Sequence, residues 1–331
     1  MRILWPLAWL AVAVSANLLK AGDSDAPLRL EERTPHLAKR SRSKCGPNLA
    51  LANTARPSES TTSRNVTLGF IRFERNGTAA GSPPSSSNKI NVSRLGKRME
   101  LPDKDLGVFY GYELPHVTEL IVPDEDRETA EDMSTAVMKT FSSLGRRQQY
   151  STGTAGLCGC TTMYIISRKA VYAAHWWESV SFDPDGVWRE DGRTSDQLFQ
   201  STVLDMLTTG GRYHPKLDAT LIEDSYIKAY LIRPTQTWQE EDGDVGYSER
   251  WKAIRTKVGE LVPTLKDEAR WTEIPYTALD ESDDELDEDD GTAGKNLFKF
   301  DPLHIFESGP KGPLAMLWVE GRLEPYHEDK W

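Results

Sequence analysis

The stretch Gly156-Leu157-Cys158-Gly159-Cys160-Thr161-Thr162-Met163-Tyr164-Ile165-Ile166, then Ser167-Arg168-Lys169, then Ala170-Val171-Tyr172-Ala173-Ala174-His175-Trp176-Trp177, reads as a β-hairpin. Two β-branched and aromatic runs flank a short polar break. With Ser167 and Arg168 as the loop, opposed residues sum to 335 and Cys160 faces His175. A four-residue loop from Ile166 to Lys169 keeps that pairing. A loop from Ser167 to Ala170 sets His175 opposite Thr162 instead, on the same face and diagonal to Cys160. An odd loop puts the two side chains on different faces. Ser-Arg is not a favoured two-residue turn, which takes Asn-Gly or similar, so the choice between the even registers stays open. Either one sets a thiol beside an imidazole, with directly opposed Cβ atoms about 4.5–5.5 Å apart. That is how a cysteine nucleophile is activated.

Cysteine usage sharpens the question. The chain has three, Cys45, Cys158 and Cys160. An odd count in a secreted chain implies a thiol or an intermolecular bridge. Cys158 and Cys160 alone are too few and too close for a zinc site, so no metal is expected. Cys45 is the candidate disulfide partner for one of them. Cys160 itself has three readings: a buried structural cysteine, a disulfide partner or a nucleophile.

Upstream, Met1 to Ala16 has the form of a signal peptide: Arg2, an apolar run from Ile3 to Val14, and Val14-Ser15-Ala16 before Asn17. The run is too short to span a bilayer, and no later stretch reads as a transmembrane helix. The expected location is secreted, extracellular. Residues 17–98 read as a disordered basic leader, rich in Ser, Thr, Asn, Pro and Gly, that cannot bury enough apolar surface to offset chain entropy. It carries three sequons, at Asn65, Asn76 and Asn91, as glycosylation candidates. Dibasic pairs stand at Lys39-Arg40 and Lys97-Arg98, and the second is a candidate processing site that would make the leader a propeptide.

Charge divides at the same place. Residues 1–98 hold 16 Lys+Arg and 6 Asp+Glu, a balance of +10, and the remainder of the chain's 40 and 51 gives 99–331 a balance of −21. A basic leader and an acidic domain attract. The acidic surface excludes nucleic acid as the expected partner. A leader that folds back, with Cys45 able to reach the Cys158–Cys160 pair, would restrain the domain. A Cys45–Cys158 bridge leaves Cys160 a thiol, partly covered, and a Cys45–Cys160 bridge switches it off until reduction.

From Met99 to Trp331 the chain reads as one mixed α+β domain, a sheet or sandwich with about three helices. Val108–Tyr112 and Val117–Val122 read as strands. A helix is expected from Pro123 to Leu144, with Met133, Val137, Phe141 and Leu144 on one face. Two more are expected over about Ser195–Leu207 and Ser248–Val262. Strands are expected at Tyr226–Ile232, Trp271–Tyr276, Asn296–Phe300 and Leu314–Val319. The acidic run 280–290 reads as a solvated loop, and it lacks EF-hand spacing. His214 reads as a loop residue, His304 and His327 as lying near the C-terminal strands, and His36 and His116 as loop.

At Leu157-Cys158-Gly159-Cys160 the chain resembles the cytotoxic-necrotizing-factor-type glutamine deamidases, whose Leu-Ser-Gly-Cys motif carries the nucleophile, with a His on a following strand as its base. The match covers about 20 of 331 residues, with Cys158 where that family has Ser. The whole chain also looks like secreted fungal proteins of unassigned function. The resemblance implies Cys160 as nucleophile, His175 as base, backbone N–H groups at Gly159 and Cys160 for the oxyanion, no cofactor, and a protein substrate. Glu178 is expected on the opposite strand face by alternation, so the orienter of His175 is expected to be a backbone carbonyl. Trp176 and Trp177 read as packing. The competing expectations are another kind of cysteine hydrolase and a non-catalytic secreted effector or binding protein with structural cysteines.

Overall fold

Two five-stranded sheets carry the fold in the computed structural model, which describes residues 43–47, 99, 101–122, 134–189, 192–235, 246–280, 283–288, 290–306 and 309–331. The chain divides into Met1–Ser41 and Arg42–Trp331, and every described residue belongs to the second unit. The signal peptide, Asn65, Asn76, Asn91, Lys97 and Arg98 lie outside the described residues, as do His36 and Met133.

One sheet orders β1 (Glu119–Leu120), β3 (Tyr150–Thr154), β8 (Asn296–Ile305), β9 (Lys311–Val319) and β10 (His327–Lys330). The other orders β2 (Thr135–Thr140), β5 (Ala170–Trp176), β4 (Thr161–Ile166), β6 (Lys228–Pro234) and β7 (Trp271–Tyr276). β1–β3 and β6–β7 pair in parallel, and the remaining neighbours are antiparallel. The described helices are α1 (Leu106–Glu113), α2 (Ser195–Phe199), α3 (Asp205–Thr209), α4 (Ala219–Ile222), α5 (Ser248–Leu261) and α6 (Asp284–Asp287). The class is α+β.

Strand alternation sorts the apolar side chains into layers. Tyr164 and Ile166 of β4, Val171 and Ala173 of β5, and Tyr230 and Ile232 of β6 pack in one cluster with Phe298, Phe300, Ala315 and Leu317 of the other sheet. The Tyr164 hydroxyl also donates to Asn296 Oδ1 across that gap, at 2.5 Å. The odd residues of β4 and the even residues of β5 face the other way. Met163, Ile165, Tyr172 and Trp176 meet Phe199, Val203, Leu207, Ile254 and Val258. Burying each large aliphatic or aromatic side chain of α5 against the sheet contributes about 1.5–3 kcal/mol. On the outside of the first sheet, α1 covers Leu297, Met316 and Trp318.

Three expectations are corrected here. Val108–Tyr112 is helix, not strand: Asp105 caps α1 by accepting from Val108 N–H at 3.1 Å, and Leu106, Phe109 and Tyr110 are buried at helical spacing while Val108 and Tyr112 face out. Of the helix expected over Pro123–Leu144, residues 123–133 lie outside the described residues, and the described part is β2 followed by a 3₁₀ turn at Phe141–Ser143. Its apparent face dissolves because Val137 enters the inter-sheet core through strand pairing with Ala173. Third, the strand expected to span Val117–Val122 shortens to Glu119–Leu120. The second helix forms in pieces, with a π turn at Gln200–Leu204, and stops at Gly210, whose φ of +73° suits glycine. β7, β8 and β9 stand where late strands were expected, the last two longer.

Candidate active site

The hairpin forms as β4 and β5, and Ile166 pairs with Val171, so opposed residues sum to 337. His175 therefore faces Thr162, as a Ser167–Ala170 loop requires, and β2 adds Thr135 on its other side. An unfavoured turn sequence works because the Ser167 hydroxyl accepts from both Lys169 N–H, at 3.0 Å, and Ala170 N–H, at 3.1 Å. Arg168 is then fixed outward by a two-armed bond to Asp329, 2.8 Å on each arm.

Cys160 stands one residue before β4. Extending the register by one residue sets it opposite Trp177, diagonal to His175 and on the same inter-sheet face. Cys160, Tyr164, Ala173 and Trp177 share one core cluster. The His175 ring packs edge-on against Trp177, centroids 4.5 Å apart. Two contacts pin the entry to β4: the Tyr276 hydroxyl donates to the Cys160 carbonyl at 2.7 Å, and Trp251 Nε1–H donates to Thr161 Oγ1 at 3.1 Å. Gly159 has φ +152°, a conformation side chains disfavour, and it kinks the chain between the two cysteines. Cys158 and Cys160 both turn inward, 3% and 0% exposed.

Cys45 lies between them. Its sulfur is in bonding contact with both Cys158 Sγ and Cys160 Sγ, with Cα separations of 5.1 and 5.9 Å, and all three sulfurs lie within 4.8 Å of one another. Both Cα separations suit a disulfide. A sulfur forms one disulfide at a time, so the geometry holds two alternative bridges rather than two simultaneous ones.

The segment Ser43–Pro47 that carries Cys45 sits in a built slot. Cys45 N–H donates to Glu178 Oε2 at 3.3 Å, and Cys45 carbonyl accepts from Ser179 N–H at 3.0 Å. The Lys44 ammonium reaches Asp183 Oδ2 at 2.7 Å and Asp185 Oδ1 at 3.2 Å. Ser43 N–H donates to Asp280 at 2.6 Å. A Cβ on Gly46 would stand 2.0 Å from Ser179 Oγ, so any side chain here would force Ser179 to move. Burial lowers the Lys44 pKa, but its two aspartate partners outweigh this and raise it above the usual lysine value.

Glu178 does not follow the expected strand alternation, because β5 ends at Trp176 and Glu178–Phe182 is a π turn. Its buried carboxylate takes the Tyr247 hydroxyl, at 3.1 Å, as well as Cys45 N–H. Trp176 and Trp177 are both packed, on opposite faces. The slot residues Glu178, Ser179, Asp183, Asp185 and Asp280 were not anticipated. Their signal is the acidic Asp183-Pro184-Asp185 directly after the hairpin, facing a lysine that precedes the odd cysteine.

The other histidines are structural in position. His214 lies in a loop yet is fully buried, 3.4 Å from the Tyr172 hydroxyl, and burial pushes its imidazole down to about 4. His327, on β10, is 2.9 Å from the Tyr230 hydroxyl and is likewise pushed down to about 4 by burial. His304 lies on β8, 3.9 Å from Asp301, and the exposed His116 ends a 3₁₀ turn. Of the acidic run, Asp284–Asp287 forms the short α6, with Leu286 buried.

No family model matches the chain, and no curated protein matches it. Among solved structures, the C-terminal domain of CNFy from Yersinia pseudotuberculosis is a slight neighbour: TM-score 0.24, 6% identity, over 59% of this chain and 58% of that one. A likeness that slight carries no argument for the chemistry. The likeness to secreted fungal proteins gains no support from these comparisons. No described helix is long and apolar enough to cross a membrane.

Proposed function

We propose that this protein is a secreted cysteine amidohydrolase that deamidates protein-bound glutamine through Cys160 and His175, kept latent by its own leader. The observation that supports it is the placement of Cys160 and His175 on one inter-sheet face, diagonal across an antiparallel pair, with a kinked glycine before the cysteine. In this reading His175 accepts the Cys160 proton and the thiolate attacks the carboxamide carbon. The Gly159 and Cys160 N–H groups donate to the oxyanion. Ammonia leaves with the proton His175 returns, and water then hydrolyses the thioester to release glutamate. Cys45, seated on Cys160, blocks the thiolate until the segment is reduced or displaced.

Ammonia release from glutamine peptides by reduced full-length protein tests this. Cys160→Ser and His175→Ala should each lower it by about 10²-fold or more. Release that survives both changes rejects the reading. The complete burial of Cys160 and its contact with Cys45 favour the second reading, a non-catalytic secreted effector whose cysteines only fasten the leader. In that case reduction exposes no ammonia-releasing activity at all.

A further inference from the structure

Residues 43–47 lie in their slot as a bound peptide would, held by main-chain hydrogen bonds and one cation. The Lys44 ammonium meets three oxygens: Asp183 Oδ2 at 2.7 Å, Asp185 Oδ1 at 3.2 Å and the Asp183 carbonyl at 3.2 Å. An ammonium has three N–H donors to give. One residue on, Cys45 N–H donates to Glu178 at 3.3 Å and the Cys45 carbonyl accepts from Ser179 N–H at 3.0 Å, while its sulfur lies against Cys160. From this seat we infer that the slot is a substrate subsite, and that it takes a polypeptide in trans with lysine directly before the residue presented to Cys160. That residue is glutamine on the deamidase reading, on which this part of the inference rests.

The slot belongs to the domain rather than to the segment. Glu178, Ser179 and Asp183 come from the π turn after β5 and the residue that follows it, and they are 0%, 3% and 6% exposed. Tyr247 holds Glu178 Oε1 at 3.1 Å, and Arg189 stands 3.6 Å from Asp183 Oδ1. Each carboxylate is thus steadied from the domain side and meets the peptide through its second oxygen. Main-chain bonds of this kind hold many sequences, and side-chain pockets select among them. The cation end opens outward, with the Lys44 and Asp185 side chains 17% and 44% exposed. The position after Cys45 favours glycine, because any Cβ there would force Ser179 to move. At the buried end, Cys45 Sγ lies 3.4 Å from the Cys158 nitrogen, whose N–H donates to it, and 4.0 Å from the Gly156 carbonyl oxygen. A carboxamide entering there has an oxygen for the first and an NH2 group for the second, whereas a carboxylate has no proton for the carbonyl. The segment is therefore a pseudosubstrate, with a cysteine where the reacting residue stands.

The test uses the full chain carrying Lys44→Glu and Cys45→Ser, which repels its own segment from the two aspartates and removes its bridge. The probes are fluorescent pentapeptides, Ser-Lys-Gln-Gly-Pro and its versions with methionine or glutamate in place of lysine. Anisotropy should show the lysine peptide binding about tenfold or more tightly than the methionine peptide, with the glutamate peptide weaker still. Asp183→Asn should abolish that preference. If that buried change unfolds the chain, Asp185→Asn, at the more exposed carboxylate, decides instead by lowering the preference about two- to fivefold. Ammonia release should follow the same order among the peptides. Selective binding with no ammonia release supports the subsite and rejects the deamidase reading alone. Equal binding of the three peptides, or no binding of any, would overturn the inference.

Discussion

The Tyr276 hydroxyl donates a 2.7 Å hydrogen bond to the carbonyl oxygen of Cys160. Tyr276 is on β7, two strands from β4, and its side chain crosses the inter-sheet face above β6. The bond fixes the backbone that carries the candidate nucleophile. Tyr276→Phe leaves the carbonyl buried without this donor, so it should cost about 1–3 kcal/mol of stability. The urea midpoint should fall with an unchanged slope. A midpoint equal to that of the natural protein would mean the bond contributes nothing.

Cys45 is within bridging reach of both Cys158 and Cys160, at Cα separations of 5.1 and 5.9 Å, so peptide mapping of acid-quenched, unreduced protein should find it linked to one of them. Cys158→Ser should shift the whole population to Cys45–Cys160. With a sequence separation of 113 between Cys45 and Cys158, closing the loop stabilises by about 4–5 kcal/mol in the chain-entropy model. Reduction should lower the melting temperature accordingly. A Cys45 thiol that takes iodoacetamide in the unreduced protein would refute the bridge.

Without its bridge, the leader segment is held by hydrogen bonds and by Lys44 against Asp183 and Asp185. Cys45→Ser should therefore let iodoacetamide reach Cys160, and more quickly as salt rises, because the exposed part of this attraction is screened. The readout is labelling at Cys160 by peptide mapping, because Cys158 also loses its Cys45 partner in this variant. Labelling in Cys45→Ser that ignores salt would leave the ion pairs no part in holding the segment.

His214 and His327 are each buried with an imidazole pushed down to about 4 from an ordinary 6.5. Between those values the unfolded chain binds more protons than the folded one, so stability rises with pH. The contribution is fully present above about 6.5 and is lost as pH falls toward 4, on the order of 2–3 kcal/mol for each histidine. Denaturant midpoints between pH 7 and 4 should show the decline, and the double change His214→Gln, His327→Gln should flatten it. An equally steep decline in the double variant would assign it to carboxylates instead.

The hairpin was legible because β-branched and aromatic runs mark strands, and an even loop was the only way to keep Cys160 and His175 on one face. The register itself was not, since it hangs on the Ser167 hydroxyl taking two N–H groups. Val108-Phe109-Tyr110 misled because strand-forming residues were carried into a helix by a cap at Asp105 and by burial against Trp318. β3, with Ser151, Thr152, Gly153 and Thr154, has too little apolar content to be seen, yet it is an inner strand of its sheet. β10 is hidden for another reason, being an edge strand of His and charged residues. The seat of Cys45 was visible only as an unmatched cysteine. Its slot is assembled from residues more than a hundred positions away, which no local pattern records.

The bridge from Cys45 gives proteolysis an unusual outcome. A cut after Arg98 leaves the piece bearing Cys45 fastened to the loop before β4 by a sulfur bond. The product is a two-chain molecule heavier by one water, and it separates on a gel only under reducing conditions. A reductant without the cut also fails to part the pieces, since the polypeptide still joins them. Shedding the leader thus demands both events in the same molecule, a coincidence requirement that neither a stray protease nor a passing thiol can satisfy alone.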